Sequence, residues 1–178
     1  MNEVFFLIGA ALFGLLGVAH GVLTLRDLHE PRSFTPTDEN LRRAMAATPL
    51  RLTPQTTMWN AWLGFNLSHS LGLVTFGTLL GGLAFHDFDM VAENLFLRFS
   101  AVVVGLIYVV LAQRFWFGVP AIFAAAGTLC FVVSALSDGC RGLAEGGGLK
   151  ADSISSLHLR QQLRNCEAAF GVAPGHTR

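Results

Sequence analysis

Four long apolar segments alternate with shorter polar ones along the first 138 residues of the chain. No Asp, Glu, Lys or Arg occurs in residues 4–25, 52–85 or 115–137, and a shorter uncharged run covers residues 99–113. A helix needs about 20 residues to cross roughly 30 Å of hydrocarbon. Three runs reach this length, and the fourth reaches it if Arg98 extends its charged end to the membrane interface.

This pattern predicts an all-α, polytopic membrane protein whose residues 1–138 form a four-helix transmembrane bundle. The predicted spans run over residues 4–25, 57–85, 93–113 and 116–137, with approximate ends. Composition agrees, because only 13% of the side chains are charged, against about 25% in a soluble domain. A soluble fold would have too little polar surface to cover four such helices.

The polar segments divide into a basic first loop and a long tail. In the loop, residues 26–56, Thr35 precedes Pro36, which is typical of a helix start. The pattern that follows favours a short interfacial helix from about residue 36 to 47, with a solvated linker as the alternative. Residues 139–178 contain a triple glycine and no sustained apolar period, so we predict a flexible C-terminal tail without a chemical role.

Charge placement predicts the orientation of the bundle. The first loop carries five arginines, whereas the second loop, HDFDMVAEN, is acidic. By the positive-inside rule, the first and third loops lie in the cytoplasm and both termini lie outside. Lys plus Arg and Asp plus Glu both number 12, so no net charge points to a nucleic-acid partner.

Candidate chemistry is concentrated at the start of the second span, in the stretch MWNAWLGFNLSHSLGL. At 100° per residue, Trp59, Trp62, Asn66 and His69 fall on one stripe about 100° wide. Polar residues in a span are functional candidates by default. We therefore predict that this stripe faces the interior of the bundle.

His20 in the first span is the nearest candidate partner of this stripe. Both helices end at the first loop, so the depths of their residues can be compared. At 1.5 Å per residue, His20 lies about 6 Å below the interface, Asn66 about 10 Å and His69 about 15 Å. We expect His20 to approach Trp62 or Asn66 more easily than His69.

Several functions remain open for these residues. We favour a pocket for a lipid or small hydrophobic ligand, walled by Trp59 and Trp62 with Asn66 and His69 at its polar end, in a binding protein or accessory subunit. The alternatives are a lipid-modifying, isomerase-like enzyme with His69 as its acid–base group and Asn66 orienting it, a b-type haem carrier using His20 and His69, and a purely structural network.

The leading interpretation requires no cofactor, and no metal site is predicted, because no carboxylate or cysteine accompanies the histidines at matching depth. The lipid bilayer is the predicted partner. Small residues line one side of the first helix at positions 10, 14, 17 and 21. Such a seam serves either a compact bundle or association into a homo-oligomer or larger membrane complex.

The second span resembles those of small four-span bacterial inner-membrane protein families with no assigned activity. The resemblance rests on the pattern WxxWxGFNxSHxxG, from Trp59 to Gly72, together with His20 in the first span. It covers residues 1–138. It implies a bacterial inner-membrane protein with a four-span bundle, and the predicted orientation then places both termini in the periplasm.

Overall fold

The computed structural model describes residues 2–146, with side chains as far as Ser137. In this part of the chain six helices and one short hairpin follow one another. They are α1 (Asn2–Asp27), α2 (Glu39–Ala47), β1 (Pro49–Leu50), β2 (Thr53–Thr57), α3 (Met58–His86), α4 (Phe88–Glu93), α5 (Leu95–Phe115) and α6 (Gly118–Gly146). Residues 139–146, predicted as tail, continue α6, and residues 147–178 of the predicted tail lie outside the described residues.

Four of the described helices, α1, α3, α5 and the Gly118–Ser137 part of α6, are long and apolar enough to cross a membrane. Their outer surfaces are apolar as well: Leu71, Val110 and Ile122 expose 66%, 63% and 68% of their surface. Exposed apolar area on this scale is typical of contact with lipid. The prediction of an all-α, four-span bundle is confirmed.

Helix α1 lies at the centre of the bundle, with α3 and α6 packed against it and α5 packed against α6. Gly17 and Gly77 let α1 and α3 approach closely. A Cβ atom on Gly77 would lie 2.5 Å from the backbone nitrogen of Gly14, and one on Gly17 would lie 2.7 Å from that of Val74. The small-residue seam of α1 is therefore occupied within the chain.

Aromatic rings fill the middle of the bundle. Phe13 of α1 contacts Phe76 of α3 edge-on at 5.2 Å between ring centroids, and stacks on Phe131 of α6 at 5.8 Å. Phe13 and Phe131 are each 1% exposed. This apolar layer lies below the polar residues of the second span and separates them from the far end of the bundle.

The start of the short helix in the first loop differs from the prediction. The short helix begins at Glu39 with Asp38 as its N-cap, because the Asp38 carboxylate accepts a hydrogen bond from the Asn40 amide. Thr35 therefore does not cap it. Glu39 pairs with Arg42 and Arg43 on this exposed helix, and the hydrogen bond from Arg42 lowers the pKa of Glu39 to about 2.

Candidate functional site

The close crossing of α1 and α3 brings His20 beside the polar stripe of α3. One turn away, the Ser70 hydroxyl donates to the Gly17 carbonyl at 2.6 Å, which fixes the relative register of the two helices. His20 is 7% exposed, Ser70 6% and Asn66 0%. The predicted inward orientation of Asn66 agrees with this complete burial.

His20 and Asn66 form a hydrogen-bonded pair within the spans. The Asn66 Nδ2 donates to the Trp62 carbonyl at 2.7 Å, which leaves Oδ1 as the acceptor facing His20 Nε2 at 3.1 Å. His20 Nε2 must therefore carry a proton. This pair agrees with the depth estimate and accounts for Asn66 as a group that links α1 to α3.

His69 lies among aromatic rings contributed by three helices and a connection. Its ring stacks on Trp116 at 5.6 Å with 17° between the planes, and lies 5.7 Å from the Tyr108 ring. It also meets the His20 ring edge-on at 5.3 Å. The depth estimate disfavoured this last contact.

A small cavity lies against the His69 ring. Its volume is about 30 Å³, and its lining includes His20, His69, Leu73, Tyr108, Trp116 and Ala124. A water molecule needs roughly 10–15 Å³ of such volume, whereas ligand pockets hold about 300–1,000 Å³. As it stands, the cavity accommodates water or the polar end of a larger molecule, but not a whole lipid.

Unused hydrogen-bonding capacity distinguishes this cavity from the apolar layer below it. Among the described residues, neither the ring nitrogens of His69 nor the hydroxyl of Tyr108 has a hydrogen-bond partner. Both residues are partly buried, so their polar atoms can still be reached from the cavity. His69 and Tyr108 are therefore free to form hydrogen bonds with a molecule that enters the cavity.

The two tryptophans predicted as pocket walls lie elsewhere. Trp59 is 8% exposed and Trp62 is 39% exposed, and neither lines the cavity. The indole nitrogen of Trp62 donates instead to the Phe34 carbonyl at 2.8 Å. Of the predicted site residues, the structure thus joins His20 to Asn66 and His69, and leaves the tryptophans outside.

Tyr108 and Trp116, neither of them predicted as a site residue, replace the two tryptophans as the aromatic walls. Tyr108 is the one tyrosine of the chain, and Trp116 follows the last residue of α5 as its C-cap. Trp116 lies at the end of α5 that is on the same side of the membrane as the first loop, and Tyr108 lies about two turns further into the span. Their depth can be read from the sequence, but depth alone does not show which side of α5 faces His69.

The first loop covers the site from the membrane surface. The Asp27 carboxylate, 1% exposed, accepts the backbone N–H groups of Arg32, Ser33 and Phe34 at 2.9, 2.8 and 2.6 Å. This ties residues 32–34 to the end of α1. The Phe34 ring then lies 4.5 Å from His20 and 5.8 Å from Trp116.

The geometry does not favour metal or haem binding at this site. The described residues contain no group of three or more metal-ligating side chains. The edge-on contact of His20 with His69 leaves no space between the two rings for a porphyrin, and His20 Nε2 already faces Asn66.

No protein-family model, curated protein sequence or solved structure matches this chain.

Proposed function

We propose that this protein is a bacterial inner-membrane protein that binds a small hydrophobic molecule carrying a carbonyl or hydroxyl oxygen. The observation that carries the proposal is the pair of polar groups, His69 and Tyr108, without a hydrogen-bond partner among the described residues, at a cavity inside an apolar bundle. An oxygen-bearing head group would satisfy both, because a neutral imidazole and a phenol each donate and accept.

The size of the cavity defines how such a molecule would bind. A cavity of about 30 Å³ has space for the oxygen-bearing end of the ligand alone. The apolar remainder of the ligand must therefore lie between helices or displace side chains. The face of Trp116, which stacks on His69, suits a flat or aromatic head group. The Phe34 ring, held by Asp27 over the same site, is the element that we expect to move when the ligand enters.

A lipid-modifying enzyme is the second candidate. His69 is favoured as its proton-transferring group, because both of its ring nitrogens are unpaired within the described residues, while Nε2 of His20 is held by Asn66. Tyr108, with its ring 5.7 Å from that of His69, would then hold the substrate oxygen. This function requires turnover in addition to binding.

Native mass spectrometry of the protein released from mild detergent tests the binding proposal. We expect an apolar molecule to accompany the wild type and to be lost from the His69→Ala and Tyr108→Phe variants. The matched control is His86→Ala, because His86 is an exposed histidine at the other end of the same helix. It should retain the ligand.

Two results would contradict binding. One is a wild type that carries no ligand after purification from its own membranes. The other is equal ligand content in all variants with a lower melting temperature for His69→Ala, which would make the polar cluster a structural network. Conversion of a membrane lipid extract by the wild type, but not by His69→Ala, would favour the enzyme.

A further inference from the structure

A second polar feature lies at the opposite end of α5 from the His69 site. Arg98 is in the first turn of α5, and its guanidinium turns into the gap between α5 and α6. Nη1 donates to the Ala92 carbonyl at 3.0 Å, and Nη2 donates to the Ala135 carbonyl. The side chain thus bonds to backbone carbonyls of α4 and α6.

These two bonds leave most of the guanidinium unused. An arginine side chain has five N–H donors, and the Nε atom is buried without an acceptor among the described residues. Arg98 also forms no ion pair with another described residue. A charged group near hydrocarbon normally pairs with an anion or with several acceptors, so this site lacks one negatively charged partner.

An apolar groove extends from Arg98 along the outside of the bundle. Its volume is about 250 Å³, and its walls are Leu95, Phe99 and Val102 of α5 with Val132 and Leu136 of α6. At 1.5 Å per residue, the α5 wall extends for about 10 Å along the helix. Leu95 and Phe99 each expose 62% of their surface, so the groove opens toward the lipid.

We infer that this groove is a binding site for an acidic phospholipid. The lipid phosphate accepts hydrogen bonds from the Nη1 and Nη2 N–H groups of Arg98 that the two carbonyls leave free, and one acyl chain lies along the groove from Leu95 toward Val102. A net negative head group is required, because it supplies the charge that Arg98 lacks. About 14 residues of α5, or roughly 21 Å, separate Arg98 from Ala112 at the His69 cavity, so this site is independent of the proposed function.

Native mass spectrometry with added lipid tests this inference. Purified protein is mixed with phosphatidylglycerol or with phosphatidylcholine of the same acyl chains. We expect the wild type to retain one phosphatidylglycerol molecule at least tenfold more strongly than phosphatidylcholine. Arg98→Gln should lose this preference. Arg114→Gln is the matched control, because Arg114 is an exposed arginine in the last turn of the same helix, and it should keep the preference.

A second variant tests the groove without changing the charge. Val102→Phe narrows the groove while leaving Arg98 and its carbonyl partners in place, and we expect it to weaken phosphatidylglycerol retention by at least tenfold. This variant decides the matter if Arg98→Gln does not fold. Equal retention of the two lipids by the wild type, or unchanged retention by Val102→Phe, would overturn the inference.

Discussion

Asn66 uses both ends of its amide, and this makes it the residue on which the polar layer depends most. Its Nδ2 bonds to the Trp62 carbonyl in its own helix, while its Oδ1 faces His20 in the neighbouring one. Replacing it with a leucine of similar size removes the acceptor and leaves the His20 N–H buried without a partner. Hydrogen bonds between spans contribute about 0.6 kcal/mol on average and up to about 1.7 kcal/mol.

We therefore predict that Asn66→Leu lowers the free energy of unfolding by about 1–2 kcal/mol. The measurement is reversible denaturation in mixed detergent micelles. Asn60→Leu is the control, since Asn60 is an exposed asparagine near the start of the same helix, and its effect should stay within about 0.5 kcal/mol. Equal effects of the two variants would mean that the His20–Asn66 bond does not stabilise the bundle.

Asp27 is a different case, in which one carboxylate orders a loop. Its two oxygens accept three consecutive backbone N–H groups, from Arg32 to Phe34. Asp27→Asn replaces one oxygen with an amide donor, so at least one of these bonds is lost. Hydrogen bonds to charged groups contribute about 1.5–3 kcal/mol, which corresponds to roughly a 10- to 150-fold change in local opening.

We predict that amide hydrogen exchange at residues 32–34 becomes faster by about that factor in Asp27→Asn. Asp38→Asn serves as the control, because Asp38 caps α2 through the Asn40 amide and should change exchange there alone. If exchange at residues 32–34 stays at the wild-type rate, the carboxylate does not hold the Phe34 segment over the site.

At the scale of elements, the contact between α1 and α3 decides where the site forms. The two backbones are close enough that a methyl group on Gly77 would lie 2.6 Å from the Ala10 carbonyl oxygen. Gly82, just over one turn further along α3, has no neighbouring atom within 4 Å of the same position. The two glycines therefore experience opposite environments on one helix.

This contrast predicts that replacing each glycine with alanine changes the stability of the bundle in opposite directions. Gly77→Ala forces the helices apart and should destabilise the bundle by about 1–3 kcal/mol, with disturbed packing of His20 against Asn66. Gly82→Ala should be neutral or stabilising by up to about 1 kcal/mol, because alanine favours the helix. Thermal unfolding of both variants in detergent gives the comparison, and a stable Gly77→Ala protein would contradict the close crossing.

At the scale of the molecule, helical periodicity and uncharged length were sufficient to predict the spans, because both depend on local properties of the chain. The inward position of Asn66 followed from the same period. The aromatic walls of the cavity could not be predicted from this periodicity, because Tyr108 and Trp116 reach His69 through the packing of α6 against α1 and α5. The exposed position of Trp62 depends likewise on its bond to Phe34, 28 residues away in the chain.

The distribution of charge over the two ends of the bundle leads to a prediction about orientation. The segment between α1 and α3 carries Arg32, Arg42, Arg43 and Arg51, whereas the segment around α4 carries Asp87, Asp89 and Glu93. Consecutive spans place these two segments on opposite sides of the membrane. The positive-inside rule then predicts that α2 is cytoplasmic and α4 periplasmic.

Single cysteines in a background without the native 3 cysteines test this orientation in intact bacterial cells. Arg43 and Glu93 are both exposed and lie in the two opposing segments, so Arg43→Cys and Glu93→Cys form a matched pair. A membrane-impermeant maleimide should label Glu93→Cys in intact cells and Arg43→Cys only after lysis. The reverse pattern would place the Phe34-covered entrance of the His69 site on the periplasmic side, and with it the source of any ligand that enters past this loop.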